Sequence, residues 1–206
     1  MMQIRPITII VPSFNDLRIL RAIQSIHDFD DTSSVSILII DGGSRTDITN
    51  SIRNELTSAD ILISEPDEGI FDGFNKGLDK AKSEIIGWLG SDDFFSSYIR
   101  SSDVIEALKD ADLFVGNTKL FRNENITRQS FGYPSKFLLG RLLGLHNPHF
   151  STFGRSELLK KHRFNITNRG ADIEYFNKIF DDCSKIQVTN KVITYMAVGG
   201  FSNGSI

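Results

Sequence analysis

Four short apolar runs, each closed by small polar residues and each followed by an amphipathic stretch, constrain this chain more than any other feature. Ile7 to Val11 is β-branched throughout and ends at Pro12. Val35 to Ile40 ends at Asp41-Gly42-Gly43-Ser44. Ile61 to Ile63 is shorter, and Glu84 to Leu89 closes on Gly90-Ser91-Asp92-Asp93. Runs of this length and composition read as strands buried on both faces. Between them, Asn15 or Asp16 is expected to cap a helix carrying Leu17, Leu20, Ile23 and Ile26. Asp47 is expected to cap a second through Ile48, Ile52 and Leu56, and Gly69 to Lys82 reads as a third, with Phe71, Phe74 and Leu78 on one side. A β-α-β-α-β-α-β order implies an α/β fold with a mostly parallel sheet, right-handed crossovers and flanking helices.

In such sheets ligands bind beyond the carboxyl ends of the strands. The polar clusters fall there: Ser13 to Asp16, Asp41 to Ser44, Glu65 to Gly69, and Gly90 to Asp93. They are expected to converge on one crevice. The second half is less regular. Residues 112–116 and 118–122 suggest a pair of strands, 170–182 a helix, and Val192 to Val198 a late strand. Phe137 to Leu145 reads as a core helix, or as a segment lying against a membrane or a lipid acceptor. The 206 residues are expected to form one domain, with 1–95 binding nucleotide and 96–206 facing an acceptor.

Composition narrows the function classes. A net charge of -3 argues against a nucleic-acid binder. The single cysteine, Cys183, excludes an intramolecular disulfide and a multi-cysteine metal site. No run approaches the roughly 20 apolar residues that span a bilayer, so a cytoplasmic location is expected, with at most peripheral contact at the inner face of the membrane.

Asp92 and Asp93 are adjacent hard oxygen ligands at a strand end. They suit Mg²⁺ or Mn²⁺ shared with a diphosphate, although Ser-Asp-Asp also makes an ordinary turn. Asp41 precedes two glycines that allow close backbone approach; its carboxylate can accept from a base imide or a ribose hydroxyl, or simply make a turn. Glu65 to Asp72 is dense in acid, which favours a helix N-terminus, and Lys76 one turn after Asp72 can neutralise it.

Together these pieces are specific. Val11-Pro12-Ser13-Phe14-Asn15 and Ile40-Asp41-Gly42-Gly43-Ser44 resemble the opening of family 2 glycosyltransferases. Ser64 to Gly77, followed by Gly87-Trp88-Leu89-Gly90-Ser91-Asp92-Asp93, looks like the branch that acts in bacterial surface-polysaccharide assembly. The resemblance implies a GT-A fold and an inverting transfer from a nucleoside-diphosphate sugar, a UDP-sugar first among them, to a glycan or lipid-linked acceptor. It implies that Pro12, Ser13, Asn15, Asp41, Glu65, Lys76 and Ser91 serve the nucleotide. Asp92 matches the last position of the family's Asp-x-Asp motif and would bind Mn²⁺ or Mg²⁺ with Asp93. Gly90 stands at the first position of that motif and removes a carboxylate.

An inverting transfer needs a general base. Gly170-Ala171-Asp172-Ile173-Glu174 resembles the stretch in which an Asp opens a helix and takes that role, so Asp172 is assigned, with Glu174 in reserve; capping the helix is the alternative for Asp172. Asn147-Pro148-His149 resembles an acceptor-side segment, in which His149 binds acceptor or metal or is a structural hydrogen-bonder. Gly199 to Ser202 is either a loop closing over the diphosphate or a frayed terminus. The rivals are a nucleotidyltransferase, whose basic glycine-rich first loop is missing from Pro12-Ser13-Phe14-Asn15-Asp16, and a sugar-nucleotide binder that has lost activity, which Gly90 keeps open.

Overall fold

The computed structural model describes residues 5–122, 125–131 and 149–198. β1 (Ile7–Ser13), β2 (Val35–Asp41), β3 (Ile61–Ser64) and β4 (Ile85–Trp88) form a parallel ladder in the order β3-β2-β1-β4. α1 (Ile19–Phe29), α2 (Thr46–Glu55) and α3 (Ile70–Lys80) connect them. The sequence-based elements recur here, with small shifts at their ends. Arg18 stands at the N-cap of α1 in place of Asn15 or Asp16, and Arg45 at that of α2 in place of Asp47.

Strand period explains the layers. Ile7, Ile9 and Val11 of β1, with Val35, Ile37 and Ile39 of β2, pack on one face with Ile19, Ile23, Ile26, Ile48 and Ile52 of α1 and α2. Ile10, Leu38 and Ile40 point to the other face and meet Phe74 and Leu78 of α3. Each such fully buried Ile or Leu stabilises by roughly 1.5–3 kcal/mol relative to exposure. α3 comes close because it has glycine where it crosses β1. A Cβ on Gly77 would run into the Ile10 side chain, and one on Gly73 would sit 3.1 Å from the Pro12 Cβ.

Beyond β4 the sheet turns mixed. β5 (Phe94–Phe95), α4 (Ser101–Ala107), β6 (Leu113–Arg122), β7 (Asn125–Phe131), β8 (Thr152–Arg155), α5 (Ser156–Leu159), α6 (Ala171–Asp182) and β9 (Ile186–Ala197) follow in chain order. β8 pairs antiparallel with both β4 and β6, and β6 runs parallel to β9, so one sheet crosses both halves. The stretch expected as a strand pair at 112–122 is one strand whose ladder with β9 shifts register around Asn117; its hairpin partner is β7. The late strand starts at Ile186, earlier than expected. The segment 137–145 and the loop 199–202 lie outside the described residues. No helix among the described residues is long and apolar enough to cross a membrane.

Candidate active site

Pro12 makes the crevice. In β1, Ser13 bonds toward β2, since its carbonyl accepts the Gly42 N–H at 2.9 Å. Ile10 bonds toward β4, accepting the Leu89 N–H at 3.1 Å. The next residue facing β4 is Pro12, which has no N–H to give. The β1–β4 pairing ends at Ile10–Trp88 while β1–β2 continues to Ser13–Asp41. The sheet therefore parts at the point where strand order reverses, between β1 and β4, which is where α/β sheets bind ligands.

Three loops meet there through hydrogen bonds. Asp41 is fully buried at the end of β2. Its carboxylate accepts from the Ser44 N–H at 2.9 Å, from the Ser44 hydroxyl, and from the Ser64 hydroxyl at 2.6 Å. The Ser44 Oγ also accepts the Asn15 N–H at 2.7 Å, and Asn15 Oδ1 accepts the Arg45 N–H at 3.0 Å. Asn15 holds this bridge with a φ of 50°, a left-handed value that Asn tolerates. On the other side, the Ser91 hydroxyl donates to Asp16 at 3.0 Å, and Arg18 ion-pairs with Asp92 at 3.3 Å. The β1–α1 loop is thus tied to the end of β2 by Asn15 and to the end of β4 by Asp16 and Arg18.

The acids of the β4–β5 loop differ. Burial pushes the Asp92 carboxyl above its usual range, and Arg18 pulls it partly back. Asp93 lies deeper, 2% exposed, with Oδ1 accepting the Ala197 N–H at 2.8 Å. Burial first, and then the charge of Asp92, push its pKa up to about 8. Burial also opposes the charge of Asp16, but hydrogen bonds from Arg18 and Ser91 outweigh it and lower its pKa. Gly90 is explained by packing. A Cβ there would sit 2.6 Å from Asp93 Oδ2 and 3.3 Å from Asp92 Oδ1. A side chain at position 90 would begin where the carboxylate of Asp93 lies.

At the end of β3, Lys76 donates to the Pro66 carbonyl at 2.8 Å and ion-pairs with Asp72 at 3.2 Å and Glu65 at 3.6 Å. Burial works against its charge, but those carboxylates raise its pKa above the usual value. Lys76 and Glu65 thus neutralise each other beside the crevice. Asp67, which sequence reasoning did not single out, accepts the Gly69 N–H at 3.0 Å and packs against Gly42, where a Cβ would approach it to 2.8 Å.

α6 runs away from the crevice. The chain before it, Ile166 to Arg169, lines a small cleft with Gly69, Ile70 and Phe71 at the start of α3. The Ser184 N–H after its last turn donates to Asp112 at 2.7 Å, at the foot of β6. Asp172, second residue of α6, follows that cleft and is half-buried. Glu174 accepts from Lys178 at 2.7 Å and from Asn168 at 3.2 Å, and these partners lower its pKa. Phe164 stacks on Tyr175 at 4.0 Å and meets Trp88 edge-on at 5.6 Å, fixing α6 against the end of β4. The backbone of His149 opens a 3-10 turn, and its side chain lies outside what is described.

Known proteins share this fold. The sequence model described as "Glycosyl transferase family 2" matches residues 8–180. The chain belongs to glycosyl transferase family 2. Curated relatives of this family 2 chain include an uncharacterized glycosyltransferase of Mycobacterium tuberculosis, present in two strains and 31% identical over 103 residues. That match spans 50% of this chain and 39% of the relative. Among solved structures, S. aureus TarS in complex with UDP-GlcNAc has a TM-score of 0.74 at 19% identity, covering 97% of this chain and 61% of that one. A mannosyltransferase of Pyrobaculum calidifontis in complex with GDP-Man and Mn²⁺ has a TM-score of 0.67 at 18% identity, covering 95% and 58%. Identities at this level speak for the fold, which is that of GT-A glycosyltransferases.

Proposed function

We propose that this chain transfers a glycosyl group, with inversion, from a nucleoside-diphosphate sugar to a hydroxyl of a glycan or lipid-linked acceptor in surface-polysaccharide assembly. A UDP-sugar is the first donor to test. The observation that carries the reading is the hydrogen-bonded tie of three strand ends around the seam that Pro12 opens. Ser13 supports a ligand there, because its hydroxyl is buried without a partner among the described residues. Such a group is costly to leave unpaired, by about 1–3 kcal/mol. Phe14, 62% exposed beside it, offers an apolar face to a base. Asp41 then acts in the nucleotide pocket together with Ser44 and Ser64, which share its carboxylate.

Among the described residues no three His, Cys, Asp or Glu side chains gather as a metal cage. A cation shared with a diphosphate does not need one, since Mg²⁺-type ions are held by one or two carboxylates plus phosphate oxygens. The residues fit that pattern: Asp92 would hold the ion, and Asp93 would stand behind it. The ion would supply positive charge to the leaving diphosphate. At the anomeric carbon, the acceptor oxygen forms its bond as the bond to the diphosphate breaks and its electron pair leaves with the phosphate. Asp172 takes the acceptor proton. Gly90 keeps one rival open, a donor-binding protein without turnover, because it removes a carboxylate from the motif.

Thermal-shift measurements with UDP, GDP and their sugars, each with and without Mn²⁺, test donor binding by mass action. Asp92→Ala is expected to lose the Mn²⁺-dependent part of the shift. Glycosyl transfer or donor hydrolysis that is unchanged in both Asp92→Ala and Asp172→Asn would refute the assignment. Donor binding with no turnover under any acceptor would favour the rival.

A further inference from the structure

The first helix brings two arginines to the acidic loop, and they are held in different ways. The Arg21 guanidinium lies 4.6 Å from the ring centres of both Phe94 and Phe121, and it donates to the Asp92 carbonyl oxygen at 2.8 Å. It is clamped between two rings and fixes main chain. Arg18, with its side chain 59% exposed, grips carboxylates. Its Nε and Nη2 donate to the two oxygens of Asp16, both at 2.9 Å, and its Nη1 lies 3.3 Å from Asp92 Oδ2.

We infer that Arg18 is an exchangeable counter-ion for Asp92: its guanidinium balances that carboxylate in the donor-free protein and gives it up when a divalent cation arrives with the diphosphate. This rests on the reading of Asp92 as the cation's ligand. Asp16 and Asp92 both lie against the Arg18 guanidinium, and like charges this close disfavour one another unless a cation lies between them. A guanidinium 3.3 Å away satisfies Asp92 through a single contact. A divalent ion carries twice the charge and binds carboxylate oxygen at about 2.0–2.1 Å, so it wins the exchange when phosphate oxygens complete its shell. Only the Asp92 contact has to break. The two-pronged grip of Asp16 keeps the released guanidinium at the rim of the crevice, where it can meet an anion.

The exchange predicts a competition. Removing the charge of Arg18 frees Asp92 for a metal, whereas a purely structural Arg18 would leave a looser loop that binds metal less well. The test uses the full chain and Mn²⁺ alone, followed by water-proton relaxation without nucleotide, with thermal melts confirming that each variant folds. An exposed ion pair of this kind alters affinity by roughly two- to fivefold. Arg18→Gln is therefore expected to bind Mn²⁺ about threefold more tightly than the wild type. Arg18→Lys keeps a cation at the site and is expected to stay near the wild type. Asp92→Asn is expected to lose the binding. Arg18→Gln no tighter than the wild type, with Asp92→Asn deficient, overturns the counter-ion role alone. Asp92→Asn binding like the wild type overturns the ligand assignment and the exchange with it.

Discussion

Asp93→Asn tests the electrostatics of the acidic loop. The side chain is 2% exposed, and burial followed by the nearby charge of Asp92 pushes its pKa up to about 8. In the unfolded chain an aspartate ionises near ~3.9. Between those values the folded state holds a proton that the unfolded state has released, so stability of the metal-free protein must fall as pH rises from about 4 towards 8. It is fully present below the unfolded value and lost by the folded one. Each unit of separation is worth about 1.36 kcal/mol, so at pH 7 the loss reaches up to roughly 4 kcal/mol. That is a large part of the ~5–15 kcal/mol of a typical domain. Asparagine keeps an oxygen to accept the Ala197 N–H and carries no charge. Urea unfolding in EDTA at pH 5, 6, 7 and 8 measures the difference between the two proteins, in which other titrating groups cancel. The variant is expected to lie within about 1 kcal/mol of the wild type at pH 5. At pH 8 it is expected to be the more stable by roughly 3 kcal/mol, a midpoint shift of about 1.5 M urea. Parallel curves for the two proteins across this range would show that Asp93 ionises freely, and the argument would fail.

Three further outcomes follow from packing and chemistry. Gly90→Ala places a Cβ 2.6 Å from Asp93 Oδ2 and is expected to destabilise by about 1–3 kcal/mol in thermal melts, with Asp93→Ser in the same chain recovering most of it; an additive pair would refute the contact. Ser64→Ala removes a 2.6 Å donor from buried Asp41 and is expected to cost about 1–3 kcal/mol and to weaken nucleotide binding; an unchanged melting temperature would mean that water replaces it. Asp172→Asn is expected to leave Mn²⁺-dependent donor binding intact while transfer falls by about 10²-fold or more, and equal loss of both would point to a capping role.

Much of the site's scaffold was legible because it depends on local pattern. Period-two burial in β1 and β2, the amphipathic stripes of α1 and α3, and polar residues at strand ends fix the parallel ladder and its crevice. What escaped depends on distant partners. Asn15 and Asp16 read as helix caps, yet Asn15 is spent on Ser44 and Arg45, and the Asp16 carboxylate accepts from Ser91 and from Arg18, which stands at the N-cap. Nothing in the sequence singles out Arg18 and Arg21, and only the sheet brings Asp92, Phe94 and Phe121 under them. Residues 112–116 and 118–122 read as two strands, whereas the ladder absorbs the break at Asn117 as irregular register. The start of β9 escaped because Gln187, Asn190 and Lys191 are polar, so its strand character comes from pairing with β6. Gly90 reads from sequence as a missing carboxylate, and the sequence does not show that the Asp93 carboxylate lies where a side chain at position 90 would begin.

The antiparallel contact of β8 with β4 bears on how this enzyme family could be dissected or recombined. Residues 152–155, made about sixty residues later, seal the flank of a strand completed by residue 88. An excised fragment ending near 95 would carry an unpaired, apolar edge and would be expected to aggregate, with that strand's open flank acting as the template. Exchange of acceptor preference between relatives should therefore succeed through loop replacement within an intact sheet, and fail through splicing of one half onto another.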